Sequence, residues 1–283
     1  MKNGSLTKLS VICFLGSLLF TGCCCINIGG CWPRAKYEKT LTLQAPLESG
    51  STVVAKTSYG SITAEGADVT DCNVIAQIRV QAPTETEAAE IAEDVKIRLE
   101  RDGKELKITA DKPHVRNNRS ISISYKMTVP RQTNLDCSSS YGSLELSDVN
   151  GDIEADTSYG SIKCAGINGQ MRLDTSYGRI KCRDIISLDI DAHTSYGNID
   201  IEYSDKASGD THAKLRTSYG DVSLQAPPDF AGEVDLGTNH GSVKTDLPIT
   251  VKGKISNTKI KGTISEGNGK LCLKTSFGSI KIR

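Results

Sequence analysis

The sequence predicts an all-β protein, a single-stranded β-solenoid or β-helix of about 18–23 residues per coil with an N-terminal strand-plus-helix cap region. Three observations predict it. The tetrapeptide Thr57-Ser58-Tyr59-Gly60 recurs along the chain, apolar residues alternate around each copy and slip by one residue at its glycine, and helical periodicity is confined to one short segment. Glycine is abundant, and Val, Ile, Thr and Ser dominate elsewhere, which suits many short strands joined by turns.

The first residues read as a targeting segment, 1–22. Lys2 and Lys8 flank a polar start, an apolar run extends from Leu9 to Phe20, and small residues lead to Cys23. The run is short for a membrane span, which needs roughly 20 apolar residues. The ending resembles a bacterial lipoprotein signal peptide, and by that resemblance Cys23 becomes the acylated, palmitate-bearing N-terminus of the mature chain. Phe20 stands where such signals usually have Leu. An ordinary signal peptide or an uncleaved anchor are the alternatives. Residues 23–37 then form a tether.

Residues 38–141 read as the cap region with the first coil. Val74, Ala76, Ile78 and Val80 alternate as a strand, and Pro83-Thr84 opens a helix over 84–101, with Ala88, Ile91, Val95 and Leu99 at helical spacing. Leu106 with Ile108, and Ile121 through Val129, give two more strands split by the polar turn around Asn117-Asn118-Arg119. Such a cap covers the first coil and protects an exposed sheet edge.

Residues 142–283 carry the solenoid repeats. The repeat corners are Tyr59-Gly60, Tyr141-Gly142, Tyr159-Gly160, Tyr177-Gly178, Tyr196-Gly197, Tyr219-Gly220, His240-Gly241 and Phe277-Gly278, with successive glycine gaps of 82, 18, 18, 19, 23, 21 and 37 residues. A worn copy at Ile255-Ser256-Asn257-Thr258-Lys259-Ile260 fills the last gap, with Thr258 in place of Gly. In one copy Met171, Leu173, Thr175 and Tyr177 share a parity, whereas Ile180 and Cys182 share the other. A one-residue slip moves every later side chain to the wrong face unless the backbone turns or bulges there. Glycine supplies that turn, so the motif is a structural corner. Val149-Asn150-Gly151 and Ile167-Asn168-Gly169, with Ile186 at the equivalent place in the next coil, mark a second turning point.

Parity before the corner points the tyrosine inward, where it fills the space the glycine vacates; Phe277 keeps the ring and drops the hydroxyl, which favours packing. The competing arrangement turns the rings outward as a platform for sugars. An inward ring makes Tyr177→Ala cost about 3–5 kcal/mol, and a surface ring less than about 1 kcal/mol.

Composition excludes several classes. Lys plus Arg equals Asp plus Glu at 34 each, so no broad basic face recruits nucleic acid. Of ten cysteines, four fall in or beside the targeting segment, and Cys31, Cys72, Cys137, Cys164, Cys182 and Cys272 have no C-x-x-C spacing. Cys164 and Cys182 share a repeat position and read as small buried residues stacked in neighbouring coils. His114, His193, His212 and His240 are too scattered for a metal site, and no phosphate loop or nucleophile motif occurs. No cofactor, metal or catalytic residue is expected. Asp156, Asp174 and Asp191 recur before the motif as outward acids, with Lys214 and Lys274 nearby. An ice-binding threonine ladder fits poorly because Tyr interrupts it.

With these repeats in view, the chain resembles the bacterial family of conjectured adhesins known as domain of unknown function 4097. The resemblance rests on Gly60-Ser61-Ile62 with Gly66, on a helix-bearing stretch, on Val129-Pro130, on the serial Thr-Ser-Tyr-Gly coils, and on Gly220-Asp221-Val222 followed by Ala226-Pro227; it covers about residues 38–283. It implies a β-solenoid on the cell envelope. The expected function is therefore a non-enzymatic, exported lipoprotein anchored in a membrane, the outer membrane where one exists. Its scaffold would serve adhesion or bind an envelope polysaccharide or protein. A carbohydrate-active β-helix enzyme, lyase or hydrolase, is the alternative. The chain ends directly after a full motif at Arg283, and the expected exposed C-terminal edge suggests self-association there.

Overall fold

The computed structural model describes residues 34–251 and 256–283. The targeting segment and Cys23 lie outside these residues, as does most of the tether. The described chain is nearly all β, with one short helix and two long, largely parallel sheets of 11 and 12 strands. Each coil gives one strand to each sheet, and the motif is the corner between them.

In chain order, coil 1 is Thr52–Tyr59 with Ile62–Ala67, coil 2 is Asn134–Tyr141 with Leu144–Ser147, and coil 3 is Ile153–Thr157 with Ile162–Ala165. Coil 4 is Met171–Tyr177 with Ile180–Ile185, coil 5 is Asp189–Tyr196 with Ile199–Tyr203, and coil 6 is His212–Tyr219 with Val222–Gln225. Coil 7 is Gly232–His240 with Val243–Thr245, and coil 8 is Gly269–Phe277 with Ile280–Ile282. From coil 1 to coil 6 each coil pairs with the next in parallel and in register, so Ala155 lies between Cys137 and Leu173, and Cys164 between Leu146 and Cys182. Two inward faces meet in one continuous core. Ile162, Ile180, Ile199, Leu215, Leu271 and Ile280 have no solvent exposure in it.

The corner works as the parity slip requires, with one change. The motif threonine is the last inward residue of its strand, and the Ile or Val two residues after the glycine is the first of the next: Thr175 is 1% exposed and Ile180 0%. A Cβ at Gly142, Gly160, Gly178 or Gly197 would overlap the carbonyl oxygen of the glycine one coil below. The threonine hydroxyl donates to that same oxygen. Thr157 reaches Gly142 at 3.0 Å, Thr175 reaches Gly160 at 3.0 Å, Thr194 reaches Gly178 at 3.0 Å, and Thr217 reaches Gly197 at 2.9 Å. Ser139 does the same for Gly60 at 2.9 Å, although its coil lies 79 residues away in sequence. Backbone already fills the space that the glycines leave. No room remains there for a ring, and the inward tyrosine is corrected: Tyr59, Tyr141, Tyr159, Tyr177, Tyr196 and Tyr219 are 47% to 53% exposed and stand beyond the corner.

The cap follows the expected strands and corrects the helix. Ala35–Pro46, Asp71–Ala82 and Ser120–Pro130 form an antiparallel end to the smaller sheet, and Lys96–Asp102 with Glu105–Asp111 end the larger one. The helix runs only from Glu85 to Asp94, capped by Thr84, whose side chain accepts from the Glu87 amide at 3.3 Å. Ala88 and Ala92 bury its inner side. Val95 is the helix C-cap; Leu99 fits the helical spacing from Val95 as well as a strand's alternation with Ile97, and pairing of Lys96–Asp102 with Glu105–Asp111 decides for the strand. Asn117 and Asn118, in the polar stretch that separates Glu105–Asp111 from Ser120–Pro130, adopt positive φ.

Three further expectations change. The worn copy at 255–260 is no coil, since Lys259–Ile264 runs antiparallel to coil 7 and Ser256 bridges Lys259 in a tight turn. The C-terminal strand is no edge, because coil 8 inserts between coils 6 and 7, pairing in parallel with both. Self-association through that strand therefore has no free edge to use. At the second turn Ile185, rather than Ile186, is the buried equivalent of Ile167, since coils 3 and 4 pair Ile162 with Ile180 without a shift and the Ile186 amide donates to the Ile167 carbonyl. Cys164 and Cys182 do stack as buried neighbours, and the described cysteines, Cys72, Cys137, Cys164, Cys182 and Cys272, are all free thiols. Burial pushes the Cys72 thiol up to about 12, which leaves it inert.

Gly178→Ala should destabilise the protein by about 3 kcal/mol or more, because the new methyl group collides with backbone that is shared by two coils. Urea denaturation measures the loss, and a cost no larger than that of an ordinary surface substitution would remove the corner contact as the determinant.

Candidate functional site: an aromatic ladder beside a charged sheet face

The rings excluded from the corner form one column. Tyr59, Tyr141, Tyr159, Tyr177, Tyr196 and Tyr219 stack in parallel, with centroids 4.8–5.0 Å apart and planes within 6° of parallel. Phe277 follows Tyr219 at 4.9 Å, and His240 closes the column at 4.6 Å. The order Tyr219, Phe277, His240 is the spatial order of the coils. The spacing is that of adjacent strands, so the sheet dictates it. Each parallel ring pair adds roughly 0.5–1.5 kcal/mol beyond its area burial.

A strand-sized gap admits no sugar or base between two rings. The outward platform therefore holds in part: the rings are at the surface, yet they present edges and hydroxyls, while neighbours cover their faces. Among the described residues none of the six phenol hydroxyls has a hydrogen-bond partner in the chain. Serines flank the column on the larger sheet, among them Ser140, Ser158, Ser176 and Ser195, all at least partly exposed. Residues following the glycines flank its other side, as Ser143, Ser161, Arg179, Asn198 and Asp221. Two of these steer backbone amides: Asn198 Oδ1 accepts from Asp221 at 3.0 Å, and Asp221 Oδ1 accepts from Ser279 at 2.7 Å. The ridge is neutral along most of its length.

Beyond the serines the outer face of the larger sheet is charged. A groove of about 940 Å³ crosses the strands there, between one row holding Asp152, Asp189 and His212 and another holding Glu154, Arg172 and Lys214. Register separates the three acids singled out in the sequence. Asp156 and Asp174 face each other in adjacent strands, whereas Asp174 is next followed by His193, and Asp191 belongs to the neighbouring row. Asp191 is held by Lys214 at 3.2 Å and Arg216 at 3.4 Å. Asp235 meets Lys261 at 3.0 Å and also Lys274; burial opposes its charge, but the two ammonium groups prevail and hold its carboxyl below the ordinary range. Partial burial and the Asp174 carboxylate push Asp156 the other way, upward. His212 bridges Asp189 at 3.1 Å and the Asn268 carbonyl at 3.0 Å, and His240 stacks on Phe277. No group of three or more metal-ligating side chains occurs among the described residues. No described helix is long and apolar enough to cross a membrane.

Two outcomes follow. Tyr177→Ala should cost about 1–2 kcal/mol, since it deletes two ring contacts at a half-exposed site and leaves no core cavity; chemical denaturation checks this. Asp156 has a folded pKa above its unfolded one, so its charge weakens the fold once pH exceeds the folded value, and below the unfolded value, about 3.9, the penalty is absent. Asp156→Asn should accordingly raise the urea midpoint near neutrality and leave it unchanged in acid.

The family model described as Toastrack DUF4097 matches residues 40–283. No curated protein matches the chain by sequence. A candidate adhesin from Bacteroides fragilis has a similar crystal structure, with 15% identity and a TM-score of 0.44, over 87% of this chain and 97% of that one. A candidate cell adhesion protein from Clostridium sporogenes follows at 10% identity and a TM-score of 0.37, over 86% and 99%. A candidate lipid binding protein from Parabacteroides distasonis gives 13% and 0.38, over 86% and 96%. The match of the family model over most of its length establishes that the chain belongs to the Toastrack DUF4097 family.

Proposed function

We propose that the protein is a non-enzymatic cell-envelope lipoprotein, tethered through an acylated Cys23, whose stacked coils display a binding ridge for an envelope polymer or protein. The observation that carries the proposal is the half-exposed ladder of parallel rings, bordered by serine, glycine and asparagine. Tyr, Ser, Gly and Asn are the residues that dominate antibody paratopes, where tyrosine offers a large amphipathic contact at small entropic cost and the small polar residues supply adaptable hydrogen bonds. Stacking lowers that cost further. A ring held between two others has already lost its rotamer freedom before a partner arrives, which is the gain that preorganisation brings to affinity.

The charged face favours a scaffold over an enzyme. A glycosidase pairs two carboxyl groups across a scissile bond, one of them kept protonated. Here Asp156 and Asp174 stand side by side on an open sheet rather than across a cleft, and Asp191 is neutralised by two cations.

The test is retention from the protein's own envelope by the detergent-extracted full chain, compared with a variant carrying Tyr141→Ala, Tyr159→Ala and Tyr177→Ala. The wild type should co-purify with a glycan or protein in stoichiometric amount, and the variant should lose it while keeping its circular dichroism spectrum. Release of reducing sugar without stoichiometric binding would overturn the proposal in favour of an enzyme. In the same extracts Cys23→Ala should leave the membrane fraction.

A further inference from the structure

The geometry points to the class of ligand this ridge takes: an uncharged glycan in fully extended, β-linked form, lying lengthwise along the ladder with about one sugar residue per ring. The inference rests on the ridge being the binding face, as proposed above.

Four features of the column select the ligand. First, its long axis follows the stacking direction, so a ligand that uses more than one ring must run across the strands, along the column. Second, the ring faces are closed to insertion at a spacing of 4.8–5.0 Å. Nucleic-acid bases, which bind aromatic platforms by stacking on a ring face, are thereby disfavoured, as are sugars seated flat on a tryptophan-like platform. What remains open is a row of phenol hydroxyls, each able to donate and accept, between two rows rich in serine. Third, a polyanion would require a basic stripe, and the ridge has none. Arg179 is the single cation on its flanks, and Asp221 there already accepts from a backbone amide.

Fourth, the repeat discriminates between neutral polymers. An extended peptide advances roughly 3.3–3.4 Å per residue and presents one side in every two residues, a repeat near 6.7 Å. Against rings 4.9 Å apart it falls out of phase within two or three coils. A polyproline helix, with three residues of about 3.1 Å per turn, comes near the distance of two rings. Its usual seat, however, is a groove between splayed aromatic side chains, and parallel stacking closes such grooves. An extended chain of β-1,4-linked pyranoses advances by about one strand spacing per residue and inverts each successive sugar, so the same hydroxyl edge returns at every second phenol and stays in phase with the ladder. The alternate phenols and the serines then meet the opposite edge. Chains of α-linked sugars coil, and lose that register.

The experiment is titration calorimetry of the full chain in detergent with neutral β-1,4-linked oligosaccharides, from disaccharide to octasaccharide, and with α-1,4-linked oligosaccharides of equal length. Affinity for the β series should climb with each added residue until the chain matches the ladder, and the α series should bind at least about tenfold more weakly. Tyr177→Phe keeps the stack and deletes one hydroxyl; it should weaken the longest β ligand roughly fivefold, the equivalent of one net hydrogen bond, and leave the urea midpoint unchanged. Affinity independent of length, equal binding of the α and β series, or an unaltered Tyr177→Phe overturns the assignment. If no β oligosaccharide binds while the triple alanine variant still loses its envelope partner, the glycan class falls and the ridge stands. If the triple variant keeps its partner, the ridge itself falls.

Discussion

Every other feature of this protein depends on the contact between one glycine carbonyl and the coil above it. The oxygen of Gly160 lies where a side chain on Gly178 would begin, and it takes the Thr175 hydroxyl at 3.0 Å. The two demands reinforce each other. A Cβ would push the coils apart, and a stretched stack would leave the carbonyl buried without a donor, which costs about 1–3 kcal/mol per group. Because the same pair recurs coil after coil, the error at one corner cannot be absorbed locally; neighbours in a solenoid are coupled to each other and to little else. The ring column is a consequence. Closing the corner with backbone expels the tyrosine, and a regular strand spacing sets the rings at a distance where they stack.

Much of this was legible in the sequence. The parity slip between Met171, Leu173, Thr175 and Ile180, Cys182 identified the corner, because alternation has a period of two and tolerates no unexplained shift. The strands of the cap were legible for the same reason. The direction of Tyr177 was not. Parity alone assigned it inward, and the deciding fact is how closely the next coil's backbone approaches, which is a distance between chain segments 18 residues apart and leaves no mark on alternation. The Thr of the motif was the available clue: a hydroxyl at a buried position needs a partner, and the only acceptor a repeated corner offers is the repeated carbonyl.

Two other misjudged regions fail for a related reason. The worn copy carries the spacing of a coil, yet residues 256–264 turn back into a strand that covers coil 7. Spacing measures distance along the chain, and insertion of coil 8 between coils 6 and 7 breaks the equivalence between chain order and stacking order. Leu99 fitted both the helical spacing from Val95 and the strand alternation from Ile97, and only the partner strand Glu105–Asp111 distinguishes the two. The charged groove was invisible for the same cause: Asp156, Asp174 and Asp191 look equivalent until register places the third in a different row.

The inserted coil also separates two properties of the ladder that the other coils confound. Phe277 sits between Tyr219 and His240 in the stack, at 4.9 Å and 4.6 Å, so it meets every geometric demand of the column while presenting no hydroxyl. His240 continues the stack with an imidazole in place of the phenol. Stacking therefore needs only a flat ring, and it is maintained to the end of the solenoid. The hydroxyl is maintained only from Tyr59 to Tyr219, although the flanking serine continues one coil further as Ser276. If tyrosine served packing alone, phenylalanine would do as well in all eight corners. Its restriction to six contiguous rings is the pattern that the proposed binding ridge requires.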